Sequence, residues 1–143
     1  GLFRMNIYFS CSLTGGRADQ STYELIVEHL IQLGHDVPTA HLASPDVMDL
    51  ERIVDPYEVY SRDMAWIQSA DVVIAEVSTP SHGVGYEIAY ALQIGRDVLC
   101  CHQEGVPVSK MITGNDLPRL TLRAYSNPED AIRIVDDYLR SLS

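Results

Sequence analysis

The sequence predicts a doubly wound α/β domain, a five-stranded parallel sheet with helices on both faces. Three observations carry this expectation. Short apolar segments alternate with amphipathic ones along the chain, as successive βαβ units do. The segment Asp71–Val77 (DVVIAEV) is apolar on both faces, as a central parallel strand is. The length of 143 residues fits a single domain with one normal core.

The elements follow in order. Gly1–Arg4 precede Met5 and read as an added remnant, leaving a single domain over 5–143. Asn6–Ser10 is a short apolar first strand, punctuated by Gly15-Gly16. A helix near Asp19–Leu33 places Tyr23, Ile26, Leu30 and Leu33 at helical spacing, and Gly34 ends it. Asp36–Ala40 reads as a second strand, and Ser44–Arg52 as an excursion over the surface. Asp55-Pro56 opens a helix through Ser69, with the proline in its first turn. Asp71–Val77 is the third strand, and the Thr79–Gly85 loop feeds a helix that runs to Ile94 and stops at Gly95. Asp97–Cys101 is the fourth strand, Val108–Ile112 a short helix and Leu120–Ala124 the fifth strand. Asn127 caps the last helix, Pro128 starts it, and Ala131, Ile134, Val135, Tyr138, Leu139 and Leu142 form its apolar stripe. Right-handed crossovers place helices on both faces, and ligands of such folds bind beyond the carboxyl ends of the strands.

Composition narrows the partners. Ten basic against 20 acidic residues give a net charge of −10, with an isoelectric point near 4.7. Such a chain is a poor general binder of nucleic acid and anionic membranes, although local geometry can still hold a small phosphorylated ligand. No apolar run reaches the ~20 residues of a membrane span, and no leader opens the chain. Cys11, Cys100 and Cys101 are an odd set with an adjacent pair, so a reducing compartment is expected, and the adjacent pair reads as strand core. No HExxH or paired CxxC motif is present, so no metal site is expected.

Three segments hold candidate chemistry. After the first strand, Ser10-Cys11-Ser12-Leu13-Thr14-Gly15-Gly16-Arg17 offers hydroxyls, backbone N–H groups, a helix N-terminus and one arginine. These suit a phosphate, and equally suit an ordinary βα turn. After the third strand, Ser81-His82-Gly83-Val84-Gly85-Tyr86-Glu87 carries two glycines and places Glu87 in the first turn of the next helix, over the ligand crevice. A carboxylate there also fits simple dipole stabilisation. Asp63 lies one turn before the core-facing Trp66 and Ile67, so it points inward or toward the sheet edge rather than to open water, and an inward acid needs either an arginine partner or a chemical role. Two carboxylates at one crevice suit glycosidic chemistry. Tyr8 is either a core aromatic or a hydroxyl that orients one of them.

Together, Tyr8–Arg17 (YFSCSLTGGR), Arg62-Asp63-Met64-Ala65-Trp66-Ile67, Ala70–Val77 and Ser81–Glu87 resemble the nucleoside 2-deoxyribosyltransferase superfamily, specifically its 2′-deoxynucleoside 5′-phosphate N-hydrolases. The resemblance runs from about Asn6 to Leu139, and the Gly83-Val84-Gly85-Tyr86-Glu87 segment is its most specific part. It implies a flavodoxin-like sheet, a homodimer, a deoxynucleoside monophosphate substrate, no cofactor, and a cytoplasmic location that extends to the nucleus in a eukaryote. By the same resemblance Glu87 matches the nucleophile, Asp63 the carboxylate that serves the leaving base, and Tyr8 the tyrosine beside the nucleophile. Ser81 and the Cys11–Arg17 loop match the phosphate and sugar site, with Gly83 and Gly85 beside it. His41 matches a histidine on the base side. Ser109, followed by Lys110 and Met111, matches a serine that reaches the partner subunit's phosphate. In the loop, Cys11 stands where mammalian members have glycine and Thr14 where they have arginine, which narrows backbone approach and removes a charge.

Other readings use the same residues. A deoxyribosyltransferase would pass the sugar to a second base. A nucleotide sensor would need no Glu87. A serine hydrolase using Ser81 would need a leading glycine that this segment lacks, and only His102 follows as a triad histidine.

Overall fold

The computed structural model describes residues 3–13, 19–47, 51 and 53–142. In chain order these form β1 (Ile7–Ser10), α1 (Gln20–Gln32), a 3₁₀ turn (Ala40–Ala43), α2 (Pro56–Ser69), β2 (Val72–Glu76), α3 (His82–Gln93), β3 (Asp97–Gln103), α4 (Lys110–Thr113), β4 (Leu120–Tyr125) and α5 (Pro128–Ser141). The strands pair in the order β1-β2-β3-β4, all parallel. Strand parity splits the core in two. Ile7, Phe9, Val72, Ile74 and Leu99 pack with α1 and α5 on one face. Tyr8, Val73, Ala75 and Cys100 pack with Met64 and Ile67 of α2 and Val84 and Ile88 of α3 on the other.

The sheet has four strands among the described residues, not the five expected. Asp36–Ala40 contributes only one parallel bridge, between Asn6 and Asp36. The reason is local. Ile7 N donates to the Asp36 carbonyl at 2.8 Å, but Pro38 has no N–H to continue a ladder. Phe9 N turns instead to the Thr39 hydroxyl oxygen at 3.0 Å, and the chain enters the 3₁₀ turn at Ala40. The bridge still records the topology: β1 has the 36–39 segment on one side and β2 on the other, so the strand order reverses at β1. Arg4 forks onto Asp36 at 2.6 and 3.0 Å beside this bridge, an exposed pair of small energetic weight.

The helix after β2 also begins earlier than expected. Ser81 caps it, its hydroxyl oxygen accepting from Val84 N at 3.3 Å, and His82 is already helical. Gly83 and Gly85 are therefore inside α3, and Glu87 sits in its second turn. At the other helices the expected signals operate: Asp55 and Asn127 accept from Tyr57 N and Asp130 N, with a proline following each. Cys100 and Cys101 are buried strand residues with free thiols.

One buried carboxylate ties the central strand to the edge. Glu76 is fully buried at the end of β2. It accepts from Ser78 N at 2.7 Å, from the Ser78 hydroxyl at 2.8 Å and from the Tyr125 hydroxyl of β4. Tyr138, by contrast, buries a hydroxyl that has no hydrogen-bond partner among the described residues. We therefore expect Tyr125→Phe to cost about 1–3 kcal/mol, because it strips a donor from a buried carboxylate, while Tyr138→Phe is neutral or stabilising. Urea unfolding of the two variants checks the contrast, and equal losses would contradict it.

Candidate active site

The site is assembled where β1 ends. Side chains on a strand alternate, so Tyr8 and Ser10 leave β1 on one face, the face that α3 covers. Glu87 projects back from α3 onto both. The Tyr8 hydroxyl donates to Glu87 Oε2, and the Ser10 hydroxyl donates to Glu87 Oε1 at 2.9 Å. Burial pushes the Glu87 carboxyl up to about 7, and the nearby Asp63 charge adds to the push while the two hydroxyl donors oppose it. Tyr8 is raised above the ordinary phenol range by burial and then by the Glu87 and Asp63 charges, so it keeps its proton and remains a donor.

Glu87 opens onto a cavity of about 650 Å³ whose walls include Cys11, Leu13, Asp63, Ser81 and Tyr86. Asp63 comes from α2, with its side chain 13% exposed. Burial raises its carboxyl, although Arg62 donates to its Oδ1 at 2.9 Å and pulls the other way. The arginine partner anticipated for Asp63 is thus present, and the pair lies in the cavity wall rather than apart from it. Arg62 also forks onto Glu51, at 2.7 Å to Oε1 and 3.3 Å to Oε2, and its guanidinium lies 4.9 Å above the Trp66 ring. His41 Nε2 is 3.2 Å from Glu51 Oε1, and its ring meets Trp66 edge-on. One end of the site is therefore a linked set, Asp63–Arg62–Glu51–His41, backed by an indole.

The remaining candidates fall in three places. Cys11 and Ser12 are buried just beyond β1, and Leu13 lines the cavity. Thr14, Gly15, Gly16 and Arg17 lie outside the described residues. Ser81, Gly83 and Gly85 form the cap and first turn of α3, and a Cβ built at Gly85 meets nothing within 4 Å, so no internal packing requires glycine there. Ser109, Lys110 and Met111 lie apart from Glu87. Ser109 and Met111 line a second groove of about 630 Å³ on the other side of the α3 start, which shares Ser81, His82 and Tyr86 with the first cavity. The serine-hydrolase arrangement is not assembled: Ser81 accepts as a helix cap, and His102 Nδ1 turns to the Gln103 carbonyl.

Three residues were missed as parts of the site. Ser10 was readable from parity with Tyr8. Arg62 was readable as the neighbour of an inward acid. Glu51 carried no signal, because it sits in the segment read as a surface excursion.

The family model for nucleoside 2-deoxyribosyltransferase matches residues 7–121. The chain belongs to this family. Tyr8, Ser10, Asp63 and Glu87 all fall within the matched span. Among relatives of the nucleoside 2-deoxyribosyltransferase family, the chain is 35% identical to a 5-hydroxymethyl-dUMP N-hydrolase of Danio rerio, over 97% of this chain and 99% of that protein. It is 41% identical to the 5-hydroxymethyl-dUMP N-hydrolase of Mus musculus, over 76% of this chain and 65% of that protein. Its fold matches the structure of a Clostridium botulinum CMP N-glycosidase with a TM-score of 0.71, at 19% identity, over 92% of this chain and 98% of that one.

Holding Glu87 in this site has a cost that depends on pH. Its carboxyl rises from an ordinary 4.5 to about 7 on folding, so the folded state binds the extra proton between those values. Stability is then full below pH 4.5 and falls as pH rises through 7. Glu87→Gln removes this slope. It should match or trail the wild type near pH 4 and gain on it by on the order of 3 kcal/mol toward pH 8. Urea unfolding at the two pH values tests this, and a difference independent of pH would refute it.

Proposed function

We propose that this protein hydrolyses the N-glycosidic bond of 2′-deoxynucleoside 5′-monophosphates, releasing free base and 2-deoxyribose 5-phosphate. The observation that carries the reading is the Glu87 carboxylate, held by Tyr8 and Ser10 at the wall of a cavity that Asp63 also lines. The relatives named N-hydrolases support the substrate class.

The chemistry follows from the two carboxyl groups. An Oε of Glu87 bonds to C1′ as the C1′–N bond breaks through an oxocarbenium-like state. The bond's electron pair leaves with the base, and Asp63 supplies the base its proton. Tyr8 and Ser10 fix the direction of the Glu87 carboxylate and leave each oxygen a lone pair for C1′. Water then bonds to C1′, the ester pair returns to Glu87, and the water's proton goes to Asp63. These steps need no metal or redox cofactor.

The phosphate is placed at the α3 cap, where Ser81 and the first-turn N–H groups present the positive end of the helix. By the resemblance the Cys11–Arg17 loop shares in binding phosphate and sugar, and Cys11 and Leu13 of it line the cavity. We place a single catalytic domain over 5–143 and a second copy of the chain against the groove beside α4. In that arrangement Ser109 and Lys110 reach the partner's phosphate. Their exposure, and the place of Ser109 in a groove that Glu87 does not line, support this reading. The location that goes with it is cytoplasmic, with the nucleus added in a eukaryote.

A chromatographic product assay decides between hydrolysis and base exchange. Deoxynucleoside monophosphates should yield free base and sugar phosphate, and ribonucleotides should react far more slowly. Glu87→Ala should lower kcat at least about a thousand-fold while retaining nucleotide binding. Base exchange without sugar-phosphate release would convert the reading to a transferase, and equal turnover by Glu87→Ala would overturn it.

A further inference from the structure

Asp63 is held by a device that the proposed reaction does not itself require. A single guanidinium, Arg62, bridges two carboxylates: it gives one N–H to Asp63 at 2.9 Å and two to Glu51 at 2.7 and 3.3 Å. The bridge is not an exposed pair that solvent would screen. The three side chains are 24%, 13% and 12% exposed, and Trp66 covers one face of the guanidinium. Glu51 itself lines the cavity, and His41 Nε2 shares its Oε1 with Arg62.

We infer that Glu51 and Arg62 are a positioning pair for Asp63. Arg62 fixes where the carboxyl points, and Glu51 offsets the guanidinium's charge so that Asp63 keeps the proton it must give the leaving base. The inference rests on the proposed hydrolase reading for that last step, and on geometry alone for the rest.

The electrostatics distinguish this role from simple bracing. An arginine beside a lone carboxylate holds it ionised, which suits a nucleophile and disables an acid. Here the guanidinium's charge is divided between two anions, and the second anion also repels ionisation of the first. The charged and titratable groups that face Asp63 are Arg62 on its own helix, Glu51, His41 of the 3₁₀ turn, Tyr8 of β1 and Glu87 of α3. Removing Glu51's charge and removing Arg62's charge should therefore act in opposite directions on the same carboxyl. A structural brace would give losses of one sign and no movement of the titration.

The test is the ¹³C-carboxyl titration of Asp63, assigned by difference with Asp63→Asn, in the whole protein without substrate. Relative to wild type, Glu51→Gln should lower the midpoint by about one pH unit and Arg62→Gln should raise it by about one or more. The double variant should return close to the starting value, because the two effects oppose each other. The high-pH limb of kcat/KM with a deoxynucleoside monophosphate should move with each midpoint. If Arg62→Gln fails to fold, Glu51→Gln alone decides the sign: a midpoint that stays or rises in a folded variant overturns the inference. The titration needs no turnover. A wild type that releases no base would thus overturn the hydrolase reading, and midpoints that do not move would overturn this one.

Discussion

The molecule is organised around a carboxylate that must be kept from water without being neutralised by a cation. Glu87 is joined to Tyr8 and Ser10 across separations of 79 and 77 residues. Both donors are neutral, so they orient the carboxylate without fixing it as an ion. That arrangement depends on the fold in detail. The parallel register sets Tyr8 beside Val73 and Ser10 beside Ala75, and the small Ala75 leaves space over the strand ends. Val84, Ile88 and Ala91 then hold α3 to that face. A one-residue slip of β1 would send Tyr8 and Ser10 to the α1 side, and Glu87 would face Ile7 or Phe9 instead.

The two most deeply buried glutamates show how environment separates structure from chemistry. Glu76 and Glu87 lie near each other in sequence but on opposite faces of the sheet. Glu76 receives a backbone N–H and two hydroxyls and opens onto no cavity described above. Three of its roughly four acceptor sites are occupied, and its work is to tie β2 to β4. Glu87 receives only two hydroxyls and faces a cavity. Burial raises both carboxyls. The shift alone therefore does not mark the reactive one; unused acceptor capacity beside open space does.

Much of this arrangement was readable from residue order, and the exceptions have physical causes. Strand parity and the resemblance pointed to Tyr8, Asp63 and Glu87, and the structure brings all three to one place. An inward Asp63 asked for either an arginine partner or a chemical role, and Arg62, not singled out beforehand, is that partner. The second strand failed because a two-residue apolar rhythm around Val37 hides a proline and a threonine hydroxyl that redirect the backbone bonds. The start of α3 failed because two glycines read as loop, whereas the Ser81 cap and the packing of Val84 outweigh their helix cost of about 1 kcal/mol each. Glu51 could not be read at all. Its place in the site comes from a contact with Arg62, 11 residues further along the chain, and nothing in its own neighbourhood announces that contact.

The net charge of −10 acquires a sharper meaning from the distribution of the cations. Among the described arginines, Arg4, Arg62, Arg119, Arg133 and Arg140 are held in ion pairs with the chain's own carboxylates. Arg96 and Arg123 point to backbone carbonyls. Lys110, the chain's one lysine, is exposed at the start of α4 and makes no ion pair among the described residues. Among the described residues, then, an anion is met chiefly by backbone dipoles, as at the α3 cap, and by a few hydroxyls, with Lys110 as a cation outside any ion pair. A mononucleotide suits that arrangement, because its charge is concentrated at one phosphate that a helix end can meet. A polynucleotide does not. Its charges extend beyond the site, over a surface whose net field repels it within a Debye length of about 8–10 Å. The acidity that makes the chain a poor general binder of polyanions is thus compatible with one small anion, provided that its phosphate is met by geometry more than by charge.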